Sequence, residues 1–363
     1  MDEYQDIHDL IRNKLWSLIH DPAEKAWYIK EHEVLARKNI IELDLPGELA
    51  GLKRERSLWI VDGVASSVDR QLLGLFYLFD LGSRIRSPED KYVFKNIFDT
   101  DIEENIPLDN EVIKNVNEEV NQALRSLLKN VYEALNKYGF EQKYEDFLRD
   151  LLSLHILYFY HELLWILNLG PNPVADTRVP THTVFDHNSA TATVSNWFTS
   201  KGEFRGYMVR IDLGGIHKYI SNSRKLRDLW VSSYIASGLI WMALSPLIFI
   251  LGPDIVLTPS LRMNPVYGYT LNTWLNKLFR NIGLDADLRN WMKKYLNKGS
   301  KSDRIYRLGL KYIQDLKNPP DYSIQPGIFT LALPPRKIVE DVINLFRELH
   351  NKYRDKFFLT GYP

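Results

Sequence analysis

The sequence predicts an α+β fold: an all-helical part to about residue 200, followed by a small antiparallel sheet backed by helices. Three observations carry this. Apolar residues recur at intervals of three and four along the first half, the period of a helix with one buried face. After Gly206 the pattern changes to short apolar runs bounded by Gly and Pro, alternating with longer helical stretches in the order β-α-β-β-α-β-α. That order fits a split βαβ, ferredoxin-like sheet. The composition is that of a packed globular chain, with 45% hydrophobic and 25% charged residues among 363.

Residues 6–20 place Ile7, Leu10, Ile11, Leu15, Leu18 and Ile19 on one helical face, ending near His20-Asp21-Pro22. Leu58 to Leu81 predicts a largely buried helix or helix pair. Between Asp99 and Glu119 there are eight acidic residues and one Lys, read as a solvated insertion spanning about 85–150. Residues 120–169 are helical again and close at Gly170-Pro171. A loop with Pro171, Pro173 and Pro180 follows, and the boundary between the halves (1–200 and 201–363) is expected at Ser200 to Phe204. Gly206 to Leu213 predicts a strand, and Ser221 to Leu244 a helix. Leu247–Leu251 and Ile255–Leu257, around Gly252-Pro253-Asp254, carry a hairpin signal. Residues 266–316 are expected to be helical, Ile328 to Leu333 a strand, and Pro335 to Tyr353 an amphipathic helix started by Pro.

Composition excludes several functions. Without cysteine there is no disulfide, thiol nucleophile or zinc finger, so any metal must sit on His, Asp and Glu. Lys+Arg and Asp+Glu both number 46, which argues against a wholesale electrostatic nucleic-acid binder. Met1 to Leu10 is polar and acidic, unlike a signal peptide. The one long uncharged run, Tyr234 to Leu251, is interrupted by Ser237, Gly238, Ser245 and Pro246. It is read as a buried helix broken at Ser245-Pro246, then a buried strand. The expectation is a cytoplasmic chain with no membrane partner.

Three constellations carry chemistry. His20-Asp21 at a helix end, Asp62 in VDGVASSVDR, and His182 and His187 in PTHTVFDHNSATA supply the imidazoles and carboxylates of a hydrolytic metal site. Taken singly, each is equally a helix cap or a packed loop residue. His155, His161 and Glu162 lie in an apolar helix and are read as core or supporting residues. The second constellation is Asp212, ending the first strand of the sheet, with Asp254 in the hairpin. Palm-type polymerase and cyclase domains hold metals on carboxylates so placed, but a single carboxylate beside Pro253 favours a solvated structural turn. The third is Arg289 to Tyr312, with eight Lys/Arg, one Asp and four interleaved aromatics. It is suited equally to phosphate backbones, to solvent and to an acidic partner.

These residues converge on a family. LIHDPAEKAW (18–27), VDGVASSVDR (61–70), DTRVPTHTVFDHNSATATV (176–194), GGIHKYISNSRKLRDLWVSSY (214–234), GPDIVLTPSLRMNP (252–265) and IFTLALP (328–334) occur in the order found in the large subunit of type III-B, Cmr-type CRISPR effector complexes, which the chain resembles over nearly its whole length. The resemblance implies a circularly permuted HD nuclease-like domain followed by the first of two cyclase-like palm domains. It implies a divalent Mn, Ni or Co type ion on His20, Asp21, Asp62 and His187, with His182 second to His187, and single-stranded DNA as substrate. Lys25 would meet the scissile phosphate. Asp212 and Asp254 stand where palm carboxylates would bind ATP and Mg.

The GGDD motif, with which the family makes cyclic oligoadenylate, is absent from this sequence. ATP/Mg chemistry is therefore expected only with a missing second palm, and the chain is read as one piece of a longer or split large subunit. The implied partners are the other Cmr effector subunits, the C-terminal half of the large subunit, and guide and target RNA through the complex. The alternative is a non-catalytic scaffold that keeps a degenerate HD site and docks the second palm and backbone subunits.

Overall fold

The computed structural model describes residues 3–28, 30–50, 56–67, 92–95, 103–106, 110–169, 173–175, 182–198, 203–280 and 325–353, with 291, 311–312, 315–316 and 318–321. Its first helix, α1 (Glu3–Ile19), is central: Ile11 and Leu15 are fully buried. Among the described residues of the first half, α2 (His32–Glu42), α3 (Arg56–Ala65), α4 (Asn110–Tyr138), α5 (Gln142–Ile156) and α6 (Glu162–Leu169) follow. A π-helical turn, Leu157–His161, joins α5 to α6. α7 (Val184–Ser195) starts with a capping box, in which Thr183 and Asp186 satisfy each other's orphan donors. α1 packs against α5 and α7, and α3 lies along α7.

The acidic stretch is corrected in its later part. From Asn110 it is helix α4, whose Ile113, Val120, Leu124 and Leu128 are buried. Glu111, Glu118 and Glu119 occupy its outward side, which is how an acidic sequence still builds core. Two short strands, β1 (Tyr92–Lys95) and β2 (Glu103–Ile106), pair antiparallel ahead of it.

In the second half, β3 (Tyr207–Asp212), β4 (Val256–Thr258) and β5 (Ile328–Leu333) form an antiparallel sheet in the order β3-β5-β4. Tyr207 pairs with Leu333, Asp212 with Ile328, and Val256 with Leu331. The expected four-strand pattern loses one strand. Leu247–Leu251 is the end of a continuous helix, α9 (Leu226–Leu251), which follows a short α8 (Ile216–Ser221) and carries Pro246 internally. Proline removes one backbone donor there. The turn persists because Ile248, Phe249, Ile250 and Leu251 are all buried, an all-round burial that a strand with two alternating faces does not need. The expected hairpin is instead a 3-10 turn, Pro253–Ile255, entered through Gly252 at φ 100°, where a Cβ would strike Asp254 and Leu154.

α10 (Pro265–Arg280) and α11 (Arg336–Lys352) complete the described fold. Most of 281–316, including the basic stretch from Arg289, lies outside the described residues, as do 68–91 of the expected second helix.

The halves are joined through their interiors. One apolar cluster runs from Ile7 to Leu349, and α1 touches α11. The described residues on either side of the expected boundary thus share one core. α9 is the one described helix long and apolar enough to cross a membrane by length and composition, and 56% of its most apolar window is buried here.

Candidate metal centre

α1 ends at Ile19, so His20 and Asp21 sit on its last, uncapped turn. The following Pro22 cannot extend the helix. Asn188 closes that end: its amide nitrogen donates to the carbonyls of Leu18 (3.0 Å) and Asp21 (2.8 Å). These carbonyls belong to the orphan acceptors of a helix terminus. Ser17 and Ser195 hydroxyls lie 3.0 Å apart one turn further back. α7 is thereby locked against the end of α1, which carries its own His187 to the His20-Asp21 pair. α3 delivers Asp62 from the other side.

The predicted residues converge. His187 Nε2 lies 3.3 Å from Asp21 Oδ2 and 3.1 Å from Asp62 Oδ1. His20 Nε2 lies 3.8 Å from Asp21 Oδ2 and 3.6 Å from Asp62 Oδ1. The two imidazole centroids are 5.3 Å apart. His20, Asp21 and His187 are 3–5% exposed, and the Asp62 side chain, 31% exposed, forms the open side.

The proton inventory favours a cation. His20 Nδ1 is 2.8 Å from the Ser17 carbonyl, which only accepts, so Nδ1 carries a hydrogen and Nε2 is the nitrogen left facing the carboxylates. That bond, together with stacking on Trp16 at 4.6 Å, fixes the ring. A backbone carbonyl accepting from the remote nitrogen is the usual support of a metal-binding histidine. Nε2 of both His20 and His187 is buried without a hydrogen-bond partner. Burial pushes the Asp21 carboxyl up, but His20, Lys25 and His187 outweigh it and hold it at about 2. Asp62 is likewise held below the usual carboxylate range, against its burial, by His187 and His20. Two ionised carboxylates thus face two imidazole nitrogens. Ligand atoms each about 2.1 Å from one ion stand about 3–4 Å apart, the spacing found here. The residues fit a divalent ion.

Other predicted residues are placed differently. His182 stands beside His187, ring centroids 6.2 Å apart, one layer out from the carboxylates. Lys25, expected to meet a phosphate, is hydrogen-bonded to Asp21 Oδ2, because four residues along this tight turn bring the ammonium back over the carboxylate. Asp212 and Asp254 do not share a site. Asp212 is exposed opposite Ile328, whereas Asp254 precedes Val256, which pairs with Leu331. That is about 10 Å or more along the sheet at roughly 3.3 Å per residue. Asp254 is not solvated. It is fully buried on Lys14 Nζ (3.0 Å) and Asn196 Nδ2 (2.9 Å), while Lys14 also donates to the Leu251 carbonyl.

His155 bonds the Tyr267 hydroxyl and the Phe249 carbonyl, and burial holds it neutral, at about 4. His161 is buried against Phe185. Sequence reasoning missed Asn188 and His32, the latter 4.0 Å from Asp21 Oδ1. Asn188 had a signal in its adjacency to His187; His32 had none.

The comparisons agree with this architecture. Residues 208–357 match the family described as CRISPR-associated protein Cmr2, N-terminal. The chain is 31% identical over 344 residues to the CRISPR system CMR subunit Cmr2 of Saccharolobus solfataricus, covering 90% of this chain and 30% of that protein. It is 24% identical to Cmr subunit Cmr2 of Pyrococcus furiosus, covering 88% and 39%. Among solved structures it is similar to a chain of the type III-B Cmr-beta complex bound to cognate target RNA, with TM-score 0.56 and 29% identity, over 98% of this chain and 33% of that one.

The chain thus spans about a third of the length of these relatives. Fold and likeness together define the class, a subunit-type chain of a CRISPR effector. Within it, residues 208–357 match the Cmr2 N-terminal family, and the chain as a whole is similar to Cmr2, the large subunit of type III-B complexes.

Proposed function

We propose that this chain is the nuclease-bearing portion of a type III-B large subunit. His20, Asp21, Asp62 and His187 hold one or two divalent ions of the Mn, Ni or Co type and cut single-stranded DNA. The helical half is then an HD-like domain and the sheet half a palm-like domain. One observation carries the reading: two buried imidazole Nε2 atoms, neither in an aligned hydrogen bond, face two carboxylates at metal-ligand spacing. A bound ion would lower the pKa of a water and stabilise the charge developing on phosphorus. The chain's own residues do the rest. Trp16 and the Ser17 carbonyl orient His20, Asn188 anchors the His20-Asp21 turn, and Asp62 leaves the site open on one side.

The relative in the solved complex is bound to target RNA, which supports other Cmr subunits and guide and target RNA as partners here. The exposed apolar residues of α9, among them Leu226 (82% exposed), Trp230, Ile235, Leu239 and Met242, offer contact area to the remainder of the large subunit. Cyclic oligoadenylate synthesis is assigned to the assembled large subunit, not to this chain with ATP and Mg²⁺. A scaffold role is favoured by one observation, the Lys25 ammonium already on Asp21.

The deciding experiment measures metal content and cleavage of labelled single strands for wild type and the His20→Ala/Asp21→Ala variant, with equal thermal stability shown first. Metal-dependent cutting by the wild type alone is expected. No metal uptake by wild type, or equal cutting by both proteins, leaves the scaffold.

A further inference from the structure

The geometry points to Arg262 as a positioning residue for this centre, contributed by the sheet half and holding in place the helix turn that carries His187. The inference rests on the metal reading and adds a component outside the ligand set. Arg262 lies in the segment between β4 and α10. Its Nε and Nη2 donate to Glu162 Oε2 (2.8 Å) and Oε1 (2.6 Å), and its Nη1 donates to Asp186 Oδ1. One planar guanidinium therefore joins α6 to the first turn of α7. Its five fixed donors allow this fork, which an ammonium cannot reproduce.

The connection to the metal centre is short. Asp186 precedes His187 in the chain. Its other oxygen accepts from the Thr183 amide (2.9 Å) and hydroxyl (2.8 Å), and its own amide donates back to Thr183 Oγ1 (3.1 Å). The His187 amide closes the first helical bond on the Thr183 carbonyl (3.1 Å). The Arg262 end is equally fixed. Leu261 is fully buried, and Asn264 caps α10 through the amides of Val266 (3.0 Å) and Tyr267 (3.3 Å). Gln325 donates to the same Asn264 oxygen (3.2 Å), just ahead of β5. A displacement of the sheet half would thus be passed to His187 through rigid parts, so this device links the state of the second half to metal retention in the first.

The test uses the full chain, Mn²⁺ as the probe, and two variants. Arg262→Lys keeps a cation beside buried Glu162 but cannot also span to Asp186. Asp186→Asn keeps an amide oxygen for the Thr183 cap, removes the charge Arg262 holds, and changes a part-exposed side chain, so the fold tolerates it. Calorimetric Mn²⁺ affinity, thermal midpoint and amide hydrogen exchange of the metal-free protein are compared.

Both variants should bind Mn²⁺ about tenfold more weakly, as loss of an outer partner of a metal ligand does. Exchange should accelerate at least about fivefold over residues 184–188 and not elsewhere, with the midpoint little changed. Unchanged affinity and exchange in both variants overturn the inference. Weakening matched by a general loss of protection also overturns it, because Arg262 would then be merely structural. Wild type that binds no Mn²⁺ overturns the metal reading and this inference together; wild type that binds while the variants match it overturns this inference alone.

Discussion

Two buried carboxylate clusters stand six residues apart along the same helix end, and they are built on opposite principles. At Lys14 the fully buried Asp254 carboxylate meets an ammonium, an asparagine amide and no lone pair, so charge is balanced by the protein itself. At His20 two carboxylates meet two imidazole nitrogens that have no hydrogen left to give or no aligned partner for one. The first arrangement sets a cation of the protein's own against the carboxylate and ties the two halves together, although Asp254 Oδ1 is left without a hydrogen-bond partner. The second, in the proposed metal reading, takes its cation from outside. Burial alone does not separate a structural ion group from a functional one; what faces the carboxylates, an ammonium or imidazole nitrogens, does.

The largest expected effect breaks the first cluster. Lys14→Met leaves Asp254 buried and uncompensated, and should cost about 3–5 kcal/mol by denaturant unfolding. The double substitution Lys14→Met/Asp254→Leu should recover much of that loss. Recovery with unchanged Mn²⁺ affinity would sharpen the contrast, whereas loss of metal binding in both would dissolve it.

Next comes the second cluster. His20→Ala/Asp21→Ala should weaken Mn²⁺ binding at least about a hundredfold, equivalent to roughly 2.7 kcal/mol. Saturating Mn²⁺ should raise the thermal midpoint of wild type but not of the variant, by mass action. A metal-free variant much less stable than metal-free wild type would show that the imidazole-carboxylate contacts are structural after all.

A third case lies between the two. Burial pushes Glu24 up to about 7, against the hydrogen bonds it accepts, and its Oε2 has no partner. Between about pH 4.5 and pH 7 the unfolded chain has released this proton while the folded chain retains it, so stability falls as pH rises through that window. Glu24→Gln should remove this fall and leave the variant about 3 kcal/mol more stable than wild type at pH 8, with little difference near pH 4.5. Parallel stability-pH curves for the two proteins would refute the assignment. The smallest effect belongs to Lys25. Lys25→Met frees Asp21 Oδ2, and should tighten Mn²⁺ binding about fivefold, near 1 kcal/mol, if the ammonium competes with the ion. Weaker binding would return Lys25 to a supporting role.

The site was more legible in the sequence than the topology. His20-Asp21, Asp62 and His187 are chemically rare enough together to be picked out, and the folded chain brings both imidazole Nε2 atoms within 4 Å of both carboxylates. α1, β3, β5 and α11 were legible because their apolar residues recur with the period of the element; in β5 and α11 the recurring residues are the buried ones. Leu247–Leu251 was not, because a segment buried on every side has no period, and Pro246 suggested a break that packing overrides. Asp254 was misread because its partner Lys14 lies 240 residues away and leaves no local mark. Lys25 was visible as a cation near the site, but its partner, a carboxylate rather than a phosphate, depended on the turn that Pro22 imposes.

The bonds from Asn188 to the Leu18 and Asp21 carbonyls span about 170 positions of chain. Two ligands from the start of the sequence and one from beyond residue 180 therefore become neighbours only when α7 closes onto α1. Closing so long a loop is entropically costly and late. Uptake of Mn²⁺ during refolding should therefore lag helix formation and mark the moment the helical half is finished, so that an ion held there as proposed would time the last step of assembly.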